Sequence, residues 1–305
     1  KDAPTAWALR YTVNLAPPKD FNELQEDANG IPRLGVLRMD VDNLGDLFKD
    51  GFDERDKDGK IIEENGQKKS IATLARISAL SFQLSVFFEG WTRRLCEAYP
   101  DLIYAVYAGG DDVFLIGPWD RMPGLAAKIS PDFKAYASGN PDVHLSGGMD
   151  FIHGKYPVYQ AADDAHDALE QAKGLAGKDA FDFLGQAWKW SDFAKVAAKF
   201  ERVKTLVTDA SVGGLGGSQA LLQTLRQLAG DEADNAKQKK GRRVWGPWMW
   251  HGAYMLTRAA GRAKSNPALE KELLAIRDEL SANNYSDIGQ WGAAARWAQL
   301  WLRER

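Results

Sequence analysis

The sequence predicts an α+β chain in which a ferredoxin-like βαββαβ sheet is followed by an all-α C-terminal domain. Between residues 34 and 173, short β-rich runs and helical patterns follow one another as strand, helix, strand, strand, helix, strand and helix. Beyond about residue 186 only helical patterns remain. We therefore expect a leading segment over 1–33, a sheet domain over 34–185 and a helical domain over 186–305.

One strand and one long helix form the first half of the predicted sheet domain. Residues 34–42 are a mostly apolar run that ends in acids, which favours a strand. Residues 50–69 are dense in charge and predict an exposed loop or hairpin. From residue 70 to about 99, apolar side chains recur mostly at three- and four-residue steps, which predicts a helix. These side chains are Ile71, Leu74, Ile77, Leu84, Phe88, Trp91 and Leu95.

A hairpin with acids at its tip follows this helix. Residues 102–108 and 113–117 are β-rich runs, and the four residues between the two runs are Gly109, Gly110, Asp111 and Asp112. Glycine and aspartate both favour tight turns between strands. An ordinary hairpin turn is therefore one interpretation of these four residues, and a functional turn is the other.

The remaining patterns complete the sheet and then become helical. Asp120 is placed to cap a helix that runs to about Ser138. Residues 143–152 predict a further strand, and 158–173 predict a helix with an alanine-rich face. In the helical domain, residues 237–243 are a basic run on a predicted loop, where contact with an RNA backbone is a minority interpretation.

Composition limits the classes of protein that remain. The 305 residues are 45% hydrophobic and 27% charged, as is typical of soluble globular domains. A net charge of -3 excludes a globally basic nucleic-acid binder. No apolar run has the roughly 18 residues that a membrane span needs. The single cysteine, Cys96, cannot form an internal disulfide, so we expect a buried, unreactive thiol and a cytoplasmic location.

Three aspartates are expected to meet at one edge of the predicted sheet. In a βαββαβ sheet the first strand lies beside the later hairpin, so Asp40 can converge with Asp111 and Asp112. Carboxylate oxygens suit Mg²⁺ or Mn²⁺, and two such ions can hold the attacking and leaving oxygens of a phosphoryl displacement. Gly109 and Gly110 permit positive φ and let a triphosphate approach the backbone. This combination favours a metal-dependent nucleotide site over an ordinary turn.

Several segments together resemble one known family. Residues 37–45 and 107–114, which contain the acids, are similar to the large palm-containing subunit of type III CRISPR effector complexes. Segments further along the chain, at 146–148, 155–157, 168–173 and 245–258, also resemble that subunit. Gly117-Pro118-Trp119-Asp120 resembles the Csm-like branch. The resemblance covers nearly the whole chain and implies a palm of the polymerase and nucleotide-cyclase type.

The resemblance implies a function and a set of site residues. It implies synthesis of cyclic oligoadenylates from ATP, activated by target RNA, in a complex with other subunits and a guide RNA. Asp111 and Asp112 would be the catalytic, metal-binding pair, and Asp40 would be the third metal-binding acid. Lys173 and Ser146 would contact the nucleotide together with Gly109 and Gly110. The implied cofactor is Mg²⁺ or Mn²⁺, and the implied substrate is ATP.

Some features depart from the family or leave alternatives open. The family subunit normally binds its ATP pair between two palms, and this sequence contains one, so we expect the chain alone to be poorly active. A catalytically silent palm that scaffolds RNA and protein partners is one alternative, and a diguanylate-cyclase-type enzyme is another. His166-Asp167 matches a nuclease motif literally, but neighbouring helical residues point apart, so no nuclease is expected here.

Overall fold

The computed structural model describes residues 15–208, 215–238 and 246–303. Contacts between residues divide the chain after Trp190, with Asn29–Ile31 joining the second unit. Most of the leading segment and most of the basic run at 237–243 lie outside the described residues. The predicted domain limits at 34–185 and 186–305 stay a prediction, because this division does not test which segments fold on their own.

The first unit contains seven helical segments and eight strands among its described residues. Its first half runs α1 (Phe21–Glu26), β1 (Leu34–Val41), α2 (Leu44–Asp50), β2 (Glu63–Glu64), β3 (Gln67–Lys68), α3 (Leu74–Ser85), a π-helical segment (Val86–Trp91) and α4 (Thr92–Cys96). Its second half runs β4 (Tyr104–Gly109), β5 (Asp112–Pro118), α5 (Met122–Tyr136), β6 (Leu145–Ile152), α6 (Val158–Lys173), β7 (Ala180–Phe183) and β8 (Gln186–Lys189).

The predicted ferredoxin-like sheet is confirmed. Six strands lie in the order β4-β5-β1-β6-β7-β8, and the first four pair antiparallel as a βαββαβ unit requires. β1 lies in the middle of these strands and has six buried residues out of eight. A strand that is covered on both faces needs apolar residues on both, which explains its nearly continuous apolar sequence.

Helices cover both faces of the sheet, whereas the two helices of a βαββαβ unit lie on one face. On the first face, a Cβ at Gly35 of β1 would lie 2.9 Å from Met122 of α5. On the opposite face, a Cβ at Gly148 of β6 would lie 2.2 Å from the backbone of Leu169 in α6. The helix that follows the βαββαβ unit therefore packs on the second face, and Gly148 permits its close approach.

The predicted long helix over 70–99 is interrupted and only partly buried. It is confirmed as a helical region, but a π-helical turn separates α3 from α4. In the predicted apolar stripe, Leu84 and Phe88 are buried, whereas Ile71 is 41% exposed, Leu74 82% and Trp91 45%. The periodic pattern was right about helicity, but the helical region begins at Leu74 and ends at Cys96, and several side chains of the stripe are exposed.

The strands β7 and β8 were not predicted. They pair antiparallel through a turn in which Leu184 and Gly185 both have positive φ, of 59° and 72°. This is the geometry of the turns that best join two strands, but Leu is an unusual residue for it. The sequence signal was therefore weak. β7 pairs parallel with β6 and extends the sheet beyond the predicted four strands.

The second unit contains helices only in its described residues. They are α7 (Trp190–Thr208), α8 (Leu215–Gln238), α9 (Pro247–Arg262), α10 (Pro267–Ala282) and α11 (Ile288–Trp301). Aromatic packing is prominent, and the Trp297 ring of α11 stacks on Phe200 of α7 with centroids 4.0 Å apart. No helix in the described part of the chain is long and apolar enough to cross a membrane.

Cys96 lies at the end of α4 and is 2% exposed, so its predicted burial is confirmed. Burial raises the pKa of its thiol to about 12. The nucleophilic form of cysteine is the thiolate, which is scarce at neutral pH when the pKa is so high. We therefore assign Cys96 to packing.

A buried carboxyl group on β7 opposes folding at neutral pH. Asp182 is 1% exposed, and its Oδ2 atom has no hydrogen-bond partner among the described residues. Burial raises the pKa of this carboxyl to about 6, and the nearby charge of Asp150 adds to the effect. Between the ordinary value of 3.8 and about 6, the folded chain keeps a proton that the unfolded chain has lost. Stability from this group therefore falls as the pH rises through that window.

Replacing this carboxyl group should stabilise the chain most at alkaline pH. Asp182→Asn should raise the free energy of unfolding by roughly 1–3 kcal/mol at pH 8 and by less at pH 5. Thermal unfolding at both pH values measures the difference. Asp163→Asn, at an exposed position on α6, serves as the control. An equal gain at both pH values, or a loss at pH 8, would contradict this account.

Candidate nucleotide and metal site

The three predicted acids meet where β1 ends. Strand pairing places Asp40 of β1 directly opposite Asp112 of β5, and residues paired in this way present their side chains on the same face. The carbonyl of Asp111 accepts the Val41 N–H at 3.2 Å, which closes the β4–β5 turn over the strand end. The structure therefore brings Asp40, Asp111 and Asp112 together, as the sequence predicted.

Burial, together with repulsion between like charges, raises the pKa of two of these carboxyl groups. For Asp111, burial is the largest cause, followed by the charges of Asp40 and Asp112. For Asp112, burial and the charge of Asp40 raise the pKa, and the Arg38 guanidinium opposes them from 3.7 Å. Carboxylates that repel one another in this way are stabilised by a cation. The cluster therefore favours binding of positive charge.

The turn that presents the acids needs its two glycines for different reasons. Gly110 has φ +68°, while Gly109 does not take a positive φ, so the expectation that both would use this conformation was wrong for Gly109. A Cβ at Gly109 would instead lie 3.2 Å from the Glu89 carboxylate. The Tyr107 hydroxyl donates to the Gly109 carbonyl at 2.9 Å and fastens the turn. Positive φ at the first central residue is the pattern of a type II′ hairpin turn.

Lys173 lies beside the acids in space, although it follows all three of them in the sequence. It is the last residue of α6, and its ammonium contacts the Oδ2 atom of Asp40. Both side chains are partly buried, with 17% and 23% of their surfaces exposed. The packing of α6 on the second face of the sheet brings this lysine to the site. The structure therefore places Lys173 beside the acids, and its role as a nucleotide contact stays a prediction.

The carboxylates fit a hard divalent cation by their chemistry but are not arranged around one. Oxygen donors from Asp40, Asp111 and Asp112 are the type that Mg²⁺ and Mn²⁺ use. Over residues 15–208, 215–238 and 246–303, no three His, Cys, Asp or Glu side chains form a ready metal site. In this conformation Lys173 and Arg38 supply the positive charge beside the acids.

Ser146 does not have the position that the sequence predicted for a nucleotide contact. Its side chain is fully buried, and its hydroxyl donates to Asp42 Oδ2 at 2.8 Å. The same hydroxyl accepts the Ala180 N–H at 3.3 Å. With no exposed surface, Ser146 cannot touch a nucleotide in this structure. Ser146 instead has a structural role beside the site, through its hydrogen bonds to Asp42 and Ala180.

Asp42 joins three parts of the fold beside the acids. Besides Ser146, its Oδ2 atom is bonded to His144 Nδ1 at 2.6 Å and to the Asp179 N–H at 3.1 Å. Lys178 and Asp179 have φ values of 45° and 49°, which non-glycine residues rarely adopt. Asp42 therefore ties β1 to β6 and to the strained turn before β7. Sequence reasoning missed His144 and Asp179, although polar residues alternate with Leu145 in His144-Leu145-Ser146.

The part of the chain that carries these acids is similar to known proteins. Residues 33–182 match the family model described as Cas10/Cmr2, second palm domain. The chain is similar to the CRISPR system single-strand-specific deoxyribonuclease Cas10/Csm1 (subtype III-A) of Methanocaldococcus jannaschii, with 35% identity over 185 residues. That alignment covers 55% of this chain and 21% of the relative.

Two further relatives extend the comparison. The protein of the same name from Mycobacterium tuberculosis is 28% identical over 240 residues, covering 75% of this chain and 28% of the relative. The crystal structure of a Csm1–Csm4 cassette in complex with cA4 has a TM-score of 0.66 and 20% identity, over 93% of this chain and 38% of that chain. At this identity the structural similarity shows a shared fold. The chain spans only about a fifth to just over a quarter of the curated relatives' length.

Removing the Ser146 hydroxyl should separate its structural role from nucleotide contact. Ser146→Ala leaves Asp42 and the Ala180 N–H each without one partner, so the free energy of unfolding should fall by about 1–3 kcal/mol. Urea denaturation measures this, and Ser81→Ala, at an exposed position of α3, is the matched control. Unchanged stability with weaker ATP binding would restore Ser146 as a nucleotide contact.

Proposed function

Since the chain belongs to the Cas10 family of type III CRISPR large subunits, Csm-like branch, and carries its second palm at residues 33–182, we propose that this palm makes cyclic oligoadenylates from ATP. The observation that carries the proposal is the meeting of Asp40, Asp111 and Asp112 beside Lys173 at an accessible edge of the sheet. The structural relative crystallised with cA4 shares the fold and supports the choice of product.

The reaction joins two nucleotides and releases pyrophosphate. The 3′-hydroxyl oxygen of one ATP forms a bond to the α-phosphorus of another, the bond to pyrophosphate breaks, and the hydroxyl proton is released. A final bond of the same kind closes the ring. A divalent cation held by Asp40, Asp111 and Asp112 would supply positive charge for the displacement when bound. The rest of this account concerns what the chain's own residues do.

Lys173 is placed to exchange one anion for another. Its ammonium neutralises Asp40 in the structure, and a triphosphate entering the site would offer it a more highly charged partner. Transfer of Lys173 to the phosphates would free the Asp40 carboxylate for a cation. The lysine would thus pair with Asp40 before the nucleotide binds and with the phosphates afterwards.

The glycine turn controls how closely the substrate can approach. A Cβ built on Gly110 would have no neighbouring atom nearer than 3.9 Å, so the space beside this glycine is open. A phosphate can therefore lie against the backbone of the turn. Arg38 adds a second cation at 3.7 Å from Asp112. Its guanidinium limits the repulsion within the acid cluster, and a phosphate near Asp112 would fall within its reach. We assign Arg38 a supporting role in binding the triphosphate.

Partners follow from the family in the same way. The relatives are named as parts of CRISPR systems, and one structural relative is solved together with Csm4. We propose that this chain works with such subunits, a guide RNA and a target RNA that activates synthesis. The relatives are also named deoxyribonucleases, but this chain spans little of their length and its His166 and Asp167 are exposed neighbours on α6. We do not extend that activity to these residues.

A non-catalytic palm is the alternative from a different class. A scaffold would not need both acids of the turn, and this chain retains Asp111 and Asp112 in a strand-held geometry. The diguanylate-cyclase alternative shares the palm but is not favoured by the family match at residues 33–182. Whether the intact assembly forms cyclic adenylates distinguishes the catalytic hypothesis from the scaffold hypothesis.

Replacing both turn acids should abolish synthesis without releasing RNA. In the presence of Mg²⁺, Asp111→Asn/Asp112→Asn should lower the target-dependent conversion of α-labelled ATP into cyclic adenylates by roughly a hundredfold or more, because negative charge is lost where the cation binds. The assay uses the complete effector complex, with Asp163→Asn as the control for removing an acid elsewhere in the palm. Wild-type complex that binds target RNA and forms no product would favour the scaffold.

A further inference from the structure

A cavity lined by arginines lies in the helical unit. It has a volume of about 460 Å³ and is bounded by the end of α7, the first half of α8 and the end of α11. Three guanidinium groups line it, from Arg226, Arg296 and Arg303. All its lining residues belong to the second unit, whereas the palm acids belong to the first, so this cavity is not part of the site described above.

Two helices present their polar side chains to the cavity as matching rows. On α8 the row is Gln219, Gln223 and Arg226, at spacings of four and three residues that keep side chains on one helical face. Along the end of α11 the row is Arg296, Gln299 and Arg303, which follow at three and four residues. Each row thus contains both amide and guanidinium groups.

The two rows are held side by side. A Cβ at Gly292 of α11 would lie 2.3 Å from the Ala229 side chain of α8, which shows how closely the helices approach. Arg226 Nη1 donates to the Gln299 Oε1 atom across the gap. This hydrogen bond orients the Arg226 guanidinium, so less of its freedom is lost when a ligand binds.

The chemistry of the lining fits a phosphorylated nucleotide. None of the described lining residues is acidic, and guanidinium groups keep their charge and bind phosphate oxygens in pairs. Glutamine amides offer the donor and acceptor that the edge of a base requires. Leu222 is 1% exposed and gives the cavity an apolar wall. The volume lies within the range of small-molecule sites.

Helix electrostatics alone explain part of this arrangement. Arg296 and Arg303 lie in or just beyond the last two turns of α11, where cations stabilise the helix dipole. That explanation does not extend to Arg226, which lies in the middle of α8, or to the glutamines on two helices. A ligand accounts for all of them together.

We propose that this cavity binds a phosphorylated nucleotide, either free or as part of an RNA strand. The site is separate from catalysis and does not depend on the palm acids. Arg226 and Arg303 bind phosphate oxygens, and the glutamines contact the base or sugar. For a nucleotide within a strand, the site would fasten RNA to the helical unit.

The test measures binding in a chain whose palm site is silenced. In an Asp111→Asn/Asp112→Asn background, Arg226→Gln/Arg303→Gln is compared with Arg258→Gln, an exposed arginine on α9 outside the cavity. Fluorescence anisotropy follows a labelled short single-stranded RNA over a range of salt concentrations. Unlabelled ATP and inorganic phosphate are added as competitors. Displacement by ATP identifies a site for free nucleotides, and binding of RNA without displacement identifies a site for a strand.

We expect the double variant to bind about tenfold more weakly and the control to bind as before. The slope of log affinity against log salt should become shallower by about 1.4, since each phosphate contact to a single strand contributes about 0.7. Arg226→Lys/Arg303→Lys should keep the salt slope but lose affinity, because lysine cannot bind in a bidentate way. This variant decides the matter if the glutamine variant fails to fold. Equal affinity and slope in all variants, equal loss in the control, or no binding by the unsubstituted cavity would overturn the proposal.

Discussion

Negative charge concentrated at the end of one central strand is the constraint on which this edge of the palm depends. Antiparallel pairing places Asp40 opposite Asp112, and the turn adds Asp111 to the same spot. Such a cluster opposes folding unless cations reach it. Lys173 is supplied by α6 and Arg38 by β1 itself. The charge balance of the site therefore depends on the packing of α6 on the second face of the sheet.

A second carboxylate beside the cluster explains how the edge keeps its shape. Asp42 is buried and bonded through one oxygen to β6 and to the turn before β7. Hydrogen bonds replace the lost water only at its Oδ2 atom, while its Oδ1 atom is buried without a hydrogen-bond partner among the described residues. The bond from Asp179 compensates a turn in which consecutive residues have unfavourable positive φ. The added strands β7 and β8 are therefore connected through one side chain to the edge that carries the acids.

The sequence revealed those parts of the fold that short-range patterns determine. Alternation and apolar runs located β1, β4, β5 and β6, and the glycine turn with its acids indicated the site before any coordinates. Long-range contacts were not visible. The family resemblance implied that Ser146 contacts the nucleotide, but its hydroxyl donates to Asp42, which lies 104 positions away in the chain. Leu74 fitted the apolar spacing of a helix, but nothing in its own segment shows whether a neighbour covers it, and it is 82% exposed.

The central claim is that the three acids bind a divalent cation and that Lys173 competes with it for Asp40. Titration of the chain with Mn²⁺, with free ion followed by electron paramagnetic resonance, tests this most directly when no nucleotide is present. The account predicts that Asp111→Asn weakens Mn²⁺ binding, whereas Lys173→Met tightens it by releasing Asp40. Unchanged binding in Asp111→Asn, or weaker binding in Lys173→Met, would contradict it.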